Sequence, residues 1–469
     1  MENNQDYQEI SFIGKKVLVF GLGLLGGGVA TTNWFLKRGA KVTVTDLKTK
    51  NQLQSSLKKI RGRVKLSLGG HREGDIKANE IIVVNPDVSI NNPYIQLAFQ
   101  LGKQVENEAI IFFKNFQKPI VAVTGTRGKT TTANWIAHFL NAKYKTTVAG
   151  NSCANPFLKI LDRQEGLERV VVEVPSFALE FFDNSALASD TAVITNIYQD
   201  HLNRHQSLEN YAKTKANIFR NQNSNQNLVL NFGNKWTNFF LKQKSRSKIW
   251  FFSVKLLPPK LNGVFIKNDN LFFQDRGLGG KIVGIKNFKE KWGEHNLQNL
   301  LASSLVAHLS GISWSAIQGK IKNLPQIPFR QEIVFDNSKL KIVNDTTATS
   351  PDGGMAAIER FGSPHTILIA GGTDCRLDYR NWAKLVREHI KPENLILLSS
   401  NATQKMKTLL NCGEIFTDLR KCLKTALRRA SQYPQSVILF SPAAKSFEKF
   451  ENEYDRGRQF NSLVKQLIK

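Results

Sequence analysis

Nine residues, Thr124 to Thr132 (TGTRGKTTT), place two glycines, a lysine and five threonines directly after an apolar stretch, Ile120 to Val123. Glycines let backbone N–H groups curl around phosphate oxygens, a lysine can bridge the outer phosphates, and a threonine hydroxyl can bind Mg²⁺. The strict pattern G-x-x-x-x-G-K-[ST] has glycine where Val123 stands. The spacing therefore predicts a phosphate-binding loop of a shortened G-x-x-G-K-T form, with Lys129 on the phosphates and Thr130 on the metal.

Polar residues follow two further apolar stretches of the chain. Glu173 comes directly after Val170 to Val172, and Asp200 with His201 follows Ala192 to Thr195. Open α/β sheets bind ligands beyond the carboxyl ends of their strands, which is where these residues should lie. A glutamate together with Thr130 offers the oxygen ligands that Mg²⁺ prefers. His201 is equally compatible with a polar surface residue.

A second glycine pattern lies near the N-terminus. Lys16 to Phe20 (KVLVF) runs into Gly21-x-Gly23-x-x-Gly26, and a second apolar stretch ends in Asp46. This arrangement is typical of a strand, a tight turn and a helix whose N–H groups face a diphosphate, with the acidic residue on a ribose hydroxyl. It predicts a nucleotide diphosphate but not which nucleotide, and a tight turn without any ligand stays open as well.

Short β-branched stretches alternate with helical patterns along most of the chain, which favours parallel sheets with crossover helices. The alternation breaks between about residues 227 and 291, where we expect a small β region, followed by a helix over 296–309. Two prolines in 323–328 indicate a linker. The predicted strands are Lys16 to Phe20, Lys41 to Thr45, Ile81 to Val84, Ile120 to Val123, Val170 to Val172, Ala192 to Thr195, His365 to Ile369, Leu395 to Leu398 and Val437 to Phe440.

Length and charge limit the class of protein. A chain of 469 residues is expected to form two to three domains. The net charge of +27 invites a nucleic-acid interpretation, but the basic residues are scattered, without a zinc finger or an Arg-rich arm. A solvated, Lys-rich surface that attracts anionic substrates is the favoured interpretation, and no nucleic-acid partner is expected.

The cysteines and the N-terminus indicate the compartment. The four cysteines stand far apart, which indicates reduced thiols. The first ten residues are polar, unlike a signal peptide, and no apolar run approaches the roughly 20 residues that span a bilayer. We expect a cytoplasmic protein without membrane insertion.

These segments together resemble the Mur ligase family, in its D type, along nearly the whole chain and in the same order. The resemblance assigns the lysine that becomes carbamylated to Lys215. The matching segments are TGTRGKTTT, VVVEVPSFALE (170–180), NIYQDHLNRH (196–205), YAKTKANIF (211–219), Gly293 to Asn296 with Asn299, Phe329-Arg330, NDTTAT (344–349), GGTDCRLDY (371–379) and SPAAKSFEKFENEYDRG (441–457).

The resemblance implies an α/β fold of three domains. A Rossmann-like N-terminal domain (1–108) would bind the UDP-sugar. A central P-loop ATPase-type domain with a small β insertion (109–327) would bind ATP, and a Rossmann-like C-terminal domain (328–469) the amino acid. The implied enzyme is a monomeric, ADP-forming ligase of peptidoglycan precursor synthesis. It would join D-glutamate to UDP-N-acetylmuramoyl-L-alanine through an acyl phosphate.

The resemblance also implies the role of each site residue. Lys129, Glu173, His201 and Lys215 would be catalytic. Two Mg²⁺ ions would lie on Thr130 with Glu173 and on His201 with carbamylated Lys215. The implied ATP-binding residues are Gly125, Thr126, Arg127, Gly128, Lys129, Thr130, Thr131, Asn296, Asn299, Arg330 and Asp345. Those implied for the UDP-substrate are Leu24, Leu25, Asp46, Asn151 and Ser176, and those for the amino acid are Thr347, Thr349, Arg376, Ser446 and Phe447.

Some positions depart from the family's pattern. Pro175 replaces a serine, and Phe329 replaces a histidine. Two lysines that meet the amino-acid carboxylate in the family are replaced by Thr347 and Cys375, with Arg376 adjacent as a compensating cation. A ligase for another amino acid, such as L-glutamate, therefore stays open. A nicotinamide-dependent oxidoreductase built on the first glycine pattern and a non-enzymatic, nucleotide-gated binding protein also stay open.

Overall fold

A computed structural model describes residues 11–24, 26–150, 155–243, 245–374 and 377–468. The chain divides into two compact units, Met1–Leu324 and Pro325–Lys469. The first unit contains two sheets and the second contains one. Three sheets of mostly parallel strands confirm the predicted α/β class.

The first sheet is a parallel, Rossmann-type sheet with the strand order β3-β2-β1-β4-β5. Helices cover both of its faces, so a central strand such as β4 (IIVV) is buried along its whole length. The strands are β1 Lys16–Phe20, β2 Lys41–Asp46, β3 Lys65–Leu68, β4 Ile81–Val84 and β5 Gln104–Glu106, and the helices are α1 Gly27–Lys37, α2 Gln54–Leu57, α3 Glu73–Ala78, α4 Pro93–Gln100 and α5 Glu108–Asn115.

The second sheet has nine strands in the order β14-β13-β12-β11-β10-β9-β6-β8-β7. The strands are β6 Ile120–Thr124, β7 Thr146–Gly150, β8 Arg169–Glu173, β9 Thr191–Ile194, β10 Asn227–Asn231, β11 Lys248–Ser253, β12 Gly263–Lys267, β13 Asn270–Asp275 and β14 Leu278–Gly284. The helices are α6 Lys129–Leu140, α7 Phe157–Leu161, α8 Ser176–Leu179, α9 Leu202–His205, α10 Leu208–Ala216, α11 Thr237–Lys242, α12 Lys286–Trp292, α13 Leu297–Leu309 and α14 Trp314–Ile321.

The predicted small β region continues the main sheet of this unit. Its strands β10 and β11 pair in parallel with their neighbours, and only β12, β13 and β14 form an antiparallel meander at the sheet edge. The change of pattern in the sequence therefore marks the change from parallel to antiparallel pairing.

The third sheet forms the second unit, in the order β15-β16-β20-β17-β18-β19, and only β15 pairs antiparallel. Alternate residues serve two cores, because Leu368 and Leu439 pack on one side and Ile367 and Ile438 on the other. The elements are β15 Glu332–Asp336, β16 Leu340–Asn344, α15 Pro351–Phe361, β17 Thr366–Ala370, α16 Arg380–His389, β18 Leu395–Leu398, α17 Asn401–Leu410, β19 Glu414–Phe416, α18 Leu419–Ala430, β20 Ser436–Phe440 and α19 Glu453–Leu467.

Each apolar stretch predicted as a strand forms one, with ends that agree to within one residue. The helix expected over 296–309 is α13, and the residues 323–328 lie outside helices and strands. Throughout the described ranges, no helix has both the length and the apolar composition needed to cross a bilayer.

Candidate active site

The phosphate loop connects β6 to α6, and its glycines have the backbone that the prediction requires. Gly125 and Gly128 have φ of 145° and 80°, and Gly128 is the left-handed N-cap of α6. A Cβ added at Gly125 would overlap Thr195 Oγ1, and one at Gly128 would overlap Asn299 Oδ1. Both positions therefore need glycine for conformation and for space.

Residues at the end of β9 hold this loop in shape. The Arg127 N–H donates to Asn196 Oδ1 at 2.8 Å, and the Thr126 N–H donates to the Asn196 carbonyl at 2.9 Å. Thr195 Oγ1 donates to the Arg127 carbonyl at 2.6 Å. These bonds leave the first turn of α6, whose N–H groups lack intrahelical acceptors, as the anion-facing end of the loop.

A cation and an oxygen pair flank that helix end. Lys129 Nζ lies 3.2 Å from the Thr126 carbonyl oxygen, inside the loop. Thr130 Oγ1 donates to Glu173 Oε2 at 2.8 Å, so the hydroxyl and the carboxylate predicted to share a metal are adjacent. The described residues contain no cluster of three His, Cys, Asp or Glu side chains that could hold a metal. The Thr130–Glu173 pair suits Mg²⁺, which binds through one or two protein oxygens together with water and substrate phosphates.

Lys215, from α10, is fully buried next to the end of β6. Its Nζ lies 3.2 Å from Thr124 Oγ1 and 4.6 Å from the centre of the Tyr211 ring. Burial holds the pKa of Lys215 well below its usual value, and the nearby Lys129 ammonium acts in the same direction. The side chain is therefore disposed to be a neutral amine.

His201 lies near the same aromatic ring. It has a left-handed backbone, with φ of 53°, and its N–H donates to Asp200 Oδ1 at 2.9 Å. The His201 side chain is half exposed, and its ring centre lies 6.2 Å from that of Tyr211. Tyr211 thus connects His201 and Lys215, the two residues expected to share a metal.

Two asparagines predicted near the nucleotide lie against the phosphate loop. Asn299 Nδ2 donates to Asn296 Oδ1 at 2.8 Å, and Thr132 Oγ1 donates to Asn299 Oδ1 at 3.2 Å. Both asparagine side chains are buried. The structure therefore brings Asn296 and Asn299 to the loop that carries Lys129, although they lie far along the sequence.

The first glycine turn is organised by an internal carboxylate. Asp46 Oδ2 accepts the N–H groups of Leu22 and Gly23, both at 2.9 Å, and Oδ1 accepts the Lys48 N–H at 2.8 Å. Asp46 is buried. Since a carboxylate has about four lone-pair sites, Asp46 can accept roughly one further donor.

The other residues expected at the UDP end divide into three groups. Leu24 is half exposed on the turn. Leu25 and Asn151 lie outside the described residues. Ser176 is buried, 3.0 Å from His205 Nε2, and burial lowers the pKa of His205 to about 4, which keeps this imidazole neutral.

In the second unit, Asp345 is buried at the end of β16. Ser441 Oγ donates to Asp345 Oδ2 at 2.8 Å, and the Gln331 N–H donates to Oδ1 at 3.1 Å. Burial raises the pKa of Asp345 to about 7, partly opposed by these bonds and by the guanidinium groups of Arg330 and Arg360. The predicted nucleotide residues Arg330 and Asp345 are thus close neighbours.

The residues expected to bind the amino acid lie on two loops of this unit. Thr347 Oγ1 donates to the Phe329 carbonyl at 2.8 Å, and Thr349 follows on the same loop. Ser446 is buried, its Oγ without a hydrogen-bond partner among the described residues, while Phe447 is exposed. Arg376, expected as the compensating cation, and its neighbour Cys375 lie outside the described residues.

A buried arginine ties these two loops together. The Arg456 guanidinium donates to Thr346 Oγ1 at 2.9 Å and to the Thr346 carbonyl at 2.7 Å. It also donates to the carbonyls of Ala444 and Lys445, at 3.1 and 3.2 Å. The positions of Thr347 and Ser446 relative to each other are therefore set by one side chain.

Comparison with known proteins decides the family. The model "Mur ligase MurD-like, N-terminal domain" matches residues 15–107, and "Mur ligase middle domain" matches 123–307. UDP-N-acetylmuramoylalanine–D-glutamate ligase from Roseiflexus is 33% identical, over 96% of this chain and 98% of that protein. The protein of that name from Borreliella afzelii is also 33% identical, over 96% and 97%. The chain belongs to the Mur ligase family.

Solved structures of Mur ligases share the fold of this chain at low identity. UDP-N-acetylmuramate–alanine ligase from Thermotoga maritima superposes with a TM-score of 0.58 at 19% identity, over 96% of this chain and 99% of that one. A second ligase of the same family and organism, in complex with ADP, gives 0.56 at 17% identity, over 97% and 96%. The three-domain α/β fold expected from the sequence is therefore confirmed.

Membership of the Mur ligase family also confirms the predicted enzyme class, an ATP-dependent, ADP-forming amide ligase. The first glycine turn consequently belongs to a ligase, and the oxidoreductase and the non-enzymatic binding protein are rejected. The roles of single site residues stay predictions.

Sequence reasoning overlooked three residues that shape the sites of this Mur ligase. Thr195 and Asn196 anchor the phosphate loop, and Arg456 joins the two loops of the second unit. A signal existed for the first two, because they end a predicted strand as Glu173 does. Arg456 lies in the segment 441–457 that resembles the family, but its burial had no local signal, since an arginine within an ordinary amphipathic helix is usually exposed.

Proposed function

We propose that this chain joins the L-alanine carboxylate of UDP-N-acetylmuramoyl-L-alanine to the amine of D-glutamate, with conversion of ATP to ADP and phosphate. Relatives named UDP-N-acetylmuramoylalanine–D-glutamate ligase are 31–33% identical to this chain over nearly its whole length. The observation that carries the reaction type is the phosphate loop, where Lys129 flanks the adjacent Thr130 and Glu173 oxygens.

The reaction has two steps. A carboxylate oxygen of the alanine attacks the γ-phosphorus of ATP, the bond to the ADP oxygen breaks, and an acyl phosphate forms. The amine of the amino acid then attacks the acyl carbon, the bond to phosphate breaks, and the amine loses a proton. Lys129 and the first N–H groups of α6 are placed to offset the charge that builds up when two anions approach.

Two Mg²⁺ ions are part of the proposal, and they supply further neutralisation of phosphate charge when bound. Thr130 and Glu173 would hold the first ion, and His201 and carbamylated Lys215 the second. Carbamylation joins Nζ to the carbon of CO₂, with loss of a proton, and it requires a neutral amine. The burial of Lys215, which lowers its pKa, supports this modification.

We also assign residues and regions of the chain to the binding of each substrate of this reaction. The first glycine turn, with Leu24, Leu25 and Asp46, would bind the UDP end, together with Asn151 and Ser176. Regions 1–108, 109–327 and 328–469 would bind the UDP-sugar, ATP and the amino acid. In the last region Thr347, Thr349, Arg376, Ser446 and Phe447 would surround the acceptor. A cytoplasmic location and a monomeric state stay predictions.

The test is phosphate release and product mass with ATP, UDP-N-acetylmuramoyl-L-alanine and single amino acids in D- and L-forms. We expect turnover with D-glutamate and at most background without either substrate. Turnover with another amino acid instead would replace D-glutamate while keeping the ligase. ATP hydrolysis that needs neither substrate would contradict the ligation.

A further inference from the structure

A buried ion pair lies between the two sheets of the first unit. Arg204, on α9, donates from Nε to Glu180 Oε1 at 2.7 Å and from Nη2 to Oε2 at 2.8 Å. The Arg204 and Glu180 side chains are 16% and 7% exposed, so the pair is largely shielded from water. Such a two-pronged pair fixes orientation as well as distance.

The same guanidinium reaches the loop that follows β4. Arg204 Nη1 donates to the Pro86 carbonyl, and Nη2 donates to the Val88 carbonyl at 2.8 Å. Glu180 Oε2 lies 3.4 Å from the Ile90 N–H. Arg204 and Glu180, which belong to the region of the second sheet, thus bind the backbone of residues 86–90. We call these residues the β4 loop.

The β4 loop is in turn fastened to the first glycine turn. Asn85 Nδ2 donates to the Gly21 carbonyl at 3.1 Å, and the Asn85 N–H donates to the Phe20 carbonyl at 3.1 Å. A Cβ at Gly21 would lie 3.0 Å from Asn85 Cβ, so the two segments are closely packed. A continuous path of contacts therefore runs from the glycine turn through Asn85 to Arg204.

The other end of this path is the candidate metal site. Arg204 lies three residues after His201, on the short helix that His201 caps, and the Arg204 N–H donates to the His201 carbonyl at 3.0 Å. Glu180 lies at the C-terminal end of α8, which begins three residues after Glu173. The Arg204–Glu180 pair therefore connects the segments that carry His201 and Glu173 to the edge of the first sheet, which would bind UDP.

From this geometry we infer that Arg204 and Glu180 are positioning residues, which set the distance between the UDP-sugar site and the γ-phosphate of ATP. The inference rests on the proposed function, because the attacking carboxylate is carried by the UDP-linked substrate. In a transfer between groups held on two sheets, a displacement of about 1 Å can lower the rate about 10²-fold. Neither residue needs to touch a substrate to have this effect.

A second contact between the two sheets provides a matched control. Trp34 Nε1 donates to Asp162 Oδ1 at 3.0 Å, and Arg38, stacked on the Trp34 ring, bonds to the same carboxylate. This contact joins α1 to the residue after α7 and involves neither glycine turn. It connects the same regions without touching the path to the metal site.

The experiment compares Arg204→Lys, Glu180→Gln and Asp162→Asn with the wild type. Arg204→Lys keeps the charge but cannot reach all of the acceptors. We expect kcat to fall about tenfold or more for Arg204→Lys and Glu180→Gln. The affinities for ATP alone and for UDP alone should stay within about twofold of wild type, because each site remains intact. Hydrogen exchange of residues 85–92 should accelerate. Asp162→Asn should leave kcat and this exchange unchanged.

Two results would overturn the inference. One is an unchanged kcat together with unchanged exchange of residues 85–92 in Arg204→Lys. The other is an equal loss of kcat in Asp162→Asn, which would indicate general attachment of the two sheets. Absence of ligation by the wild-type chain would contradict the proposed function instead. In that case hydrogen exchange alone decides whether Arg204 holds the β4 loop, and unchanged exchange overturns the inference.

Discussion

The two glycine turns of the first unit are built alike and differ in what fills them. Each follows a buried parallel strand, and each leads into a helix whose N-cap is a left-handed glycine, Gly26 with φ of 92° and Gly128 with φ of 80°. In the first turn, backbone N–H groups are bound by the carboxylate of Asp46. In the second, Lys129 and the Thr130–Glu173 pair stand at the helix end instead.

This difference shows that the spacing of glycines sets the backbone and that neighbouring charges set the ligand. A turn that already holds an internal carboxylate is less suited to a further phosphate group on those amides. A turn with a lysine beside the helix end attracts one. The four predictions below test whether the two turns are as distinct as their neighbours imply.

Replacement of the lysine should have the largest effect. Lys129→Ala removes the cation of the second turn, and we expect kcat to fall on the order of 10²–10³-fold, or about 3–4 kcal/mol, as for loss of one preorganised electrostatic donor. Steady-state phosphate release measures this. Lys213→Ala, an exposed lysine on α10, is the control and should behave as wild type. Near-normal turnover in Lys129→Ala would show that the second turn does not handle phosphate.

Replacement of the buried lysine should follow in size. Lys215→Ala should lower kcat about tenfold or more, since it removes a group placed at the site of charge development. Added formate or acetate should restore part of the activity by filling the space of the carbamate. Intact mass of the wild type should show one added carbamyl group. If neither rescue nor the added mass is found, Lys215 acts as an unmodified amine.

A matched pair of glycine substitutions compares the turns directly. Gly128→Ala places a methyl group against Asn299 in a left-handed backbone, and we expect ATP affinity to fall about tenfold. Gly26→Ala has the same backbone but nothing within 4 Å of the added Cβ. It should lower the free energy of unfolding by only about 1 kcal/mol and leave ATP binding unchanged. Equal effects on ATP affinity would erase the distinction between the turns.

The smallest loss of ligand affinity should come from replacement of the carboxylate of the first turn. Asp46→Asn keeps the shape but removes the charge that accepts three N–H groups, and we expect the free energy of unfolding to fall by about 2 kcal/mol. Affinity for UDP should weaken a few-fold while affinity for ATP stays the same. Chemical denaturation and calorimetric titration measure the two quantities. If Asp46→Asn reduced the affinity for ATP more than the affinity for UDP, the assignment of this turn to the UDP end would be contradicted.

The sequence predicted those parts of the fold that one stretch of chain determines. Strands buried on both faces, such as β4 and β18, are uninterrupted apolar runs, so their ends were found to within a residue. Edge strands such as β3 (KLSL) and β19 (EIF) were not predicted, because half-exposed strands are short and mix polar with apolar residues.

The site was predictable where a residue follows a strand end. Glu173 was placed beside Thr130 on that basis, and the structure puts their oxygens 2.8 Å apart. Contacts that depend on the packing of distant elements gave no local signal. The bonds from Arg204 to the β4 loop and from Arg456 to two loops of the second unit are of this kind. Tertiary structure alone decides that Arg456 is buried and that Arg204 is largely shielded from water.

We propose that the two glycine turns bind different substrates of one ligation. Calorimetric titration of the wild type, Lys129→Ala and Asp46→Asn with ATP and with UDP-N-acetylmuramoyl-L-alanine tests it most directly. We expect Lys129→Ala to weaken the affinity for ATP and to leave the affinity for the UDP-linked substrate unchanged, and we expect Asp46→Asn to do the reverse. Loss of both ligands in either well-folded variant, or no binding of the UDP-linked substrate to the wild type, would contradict it.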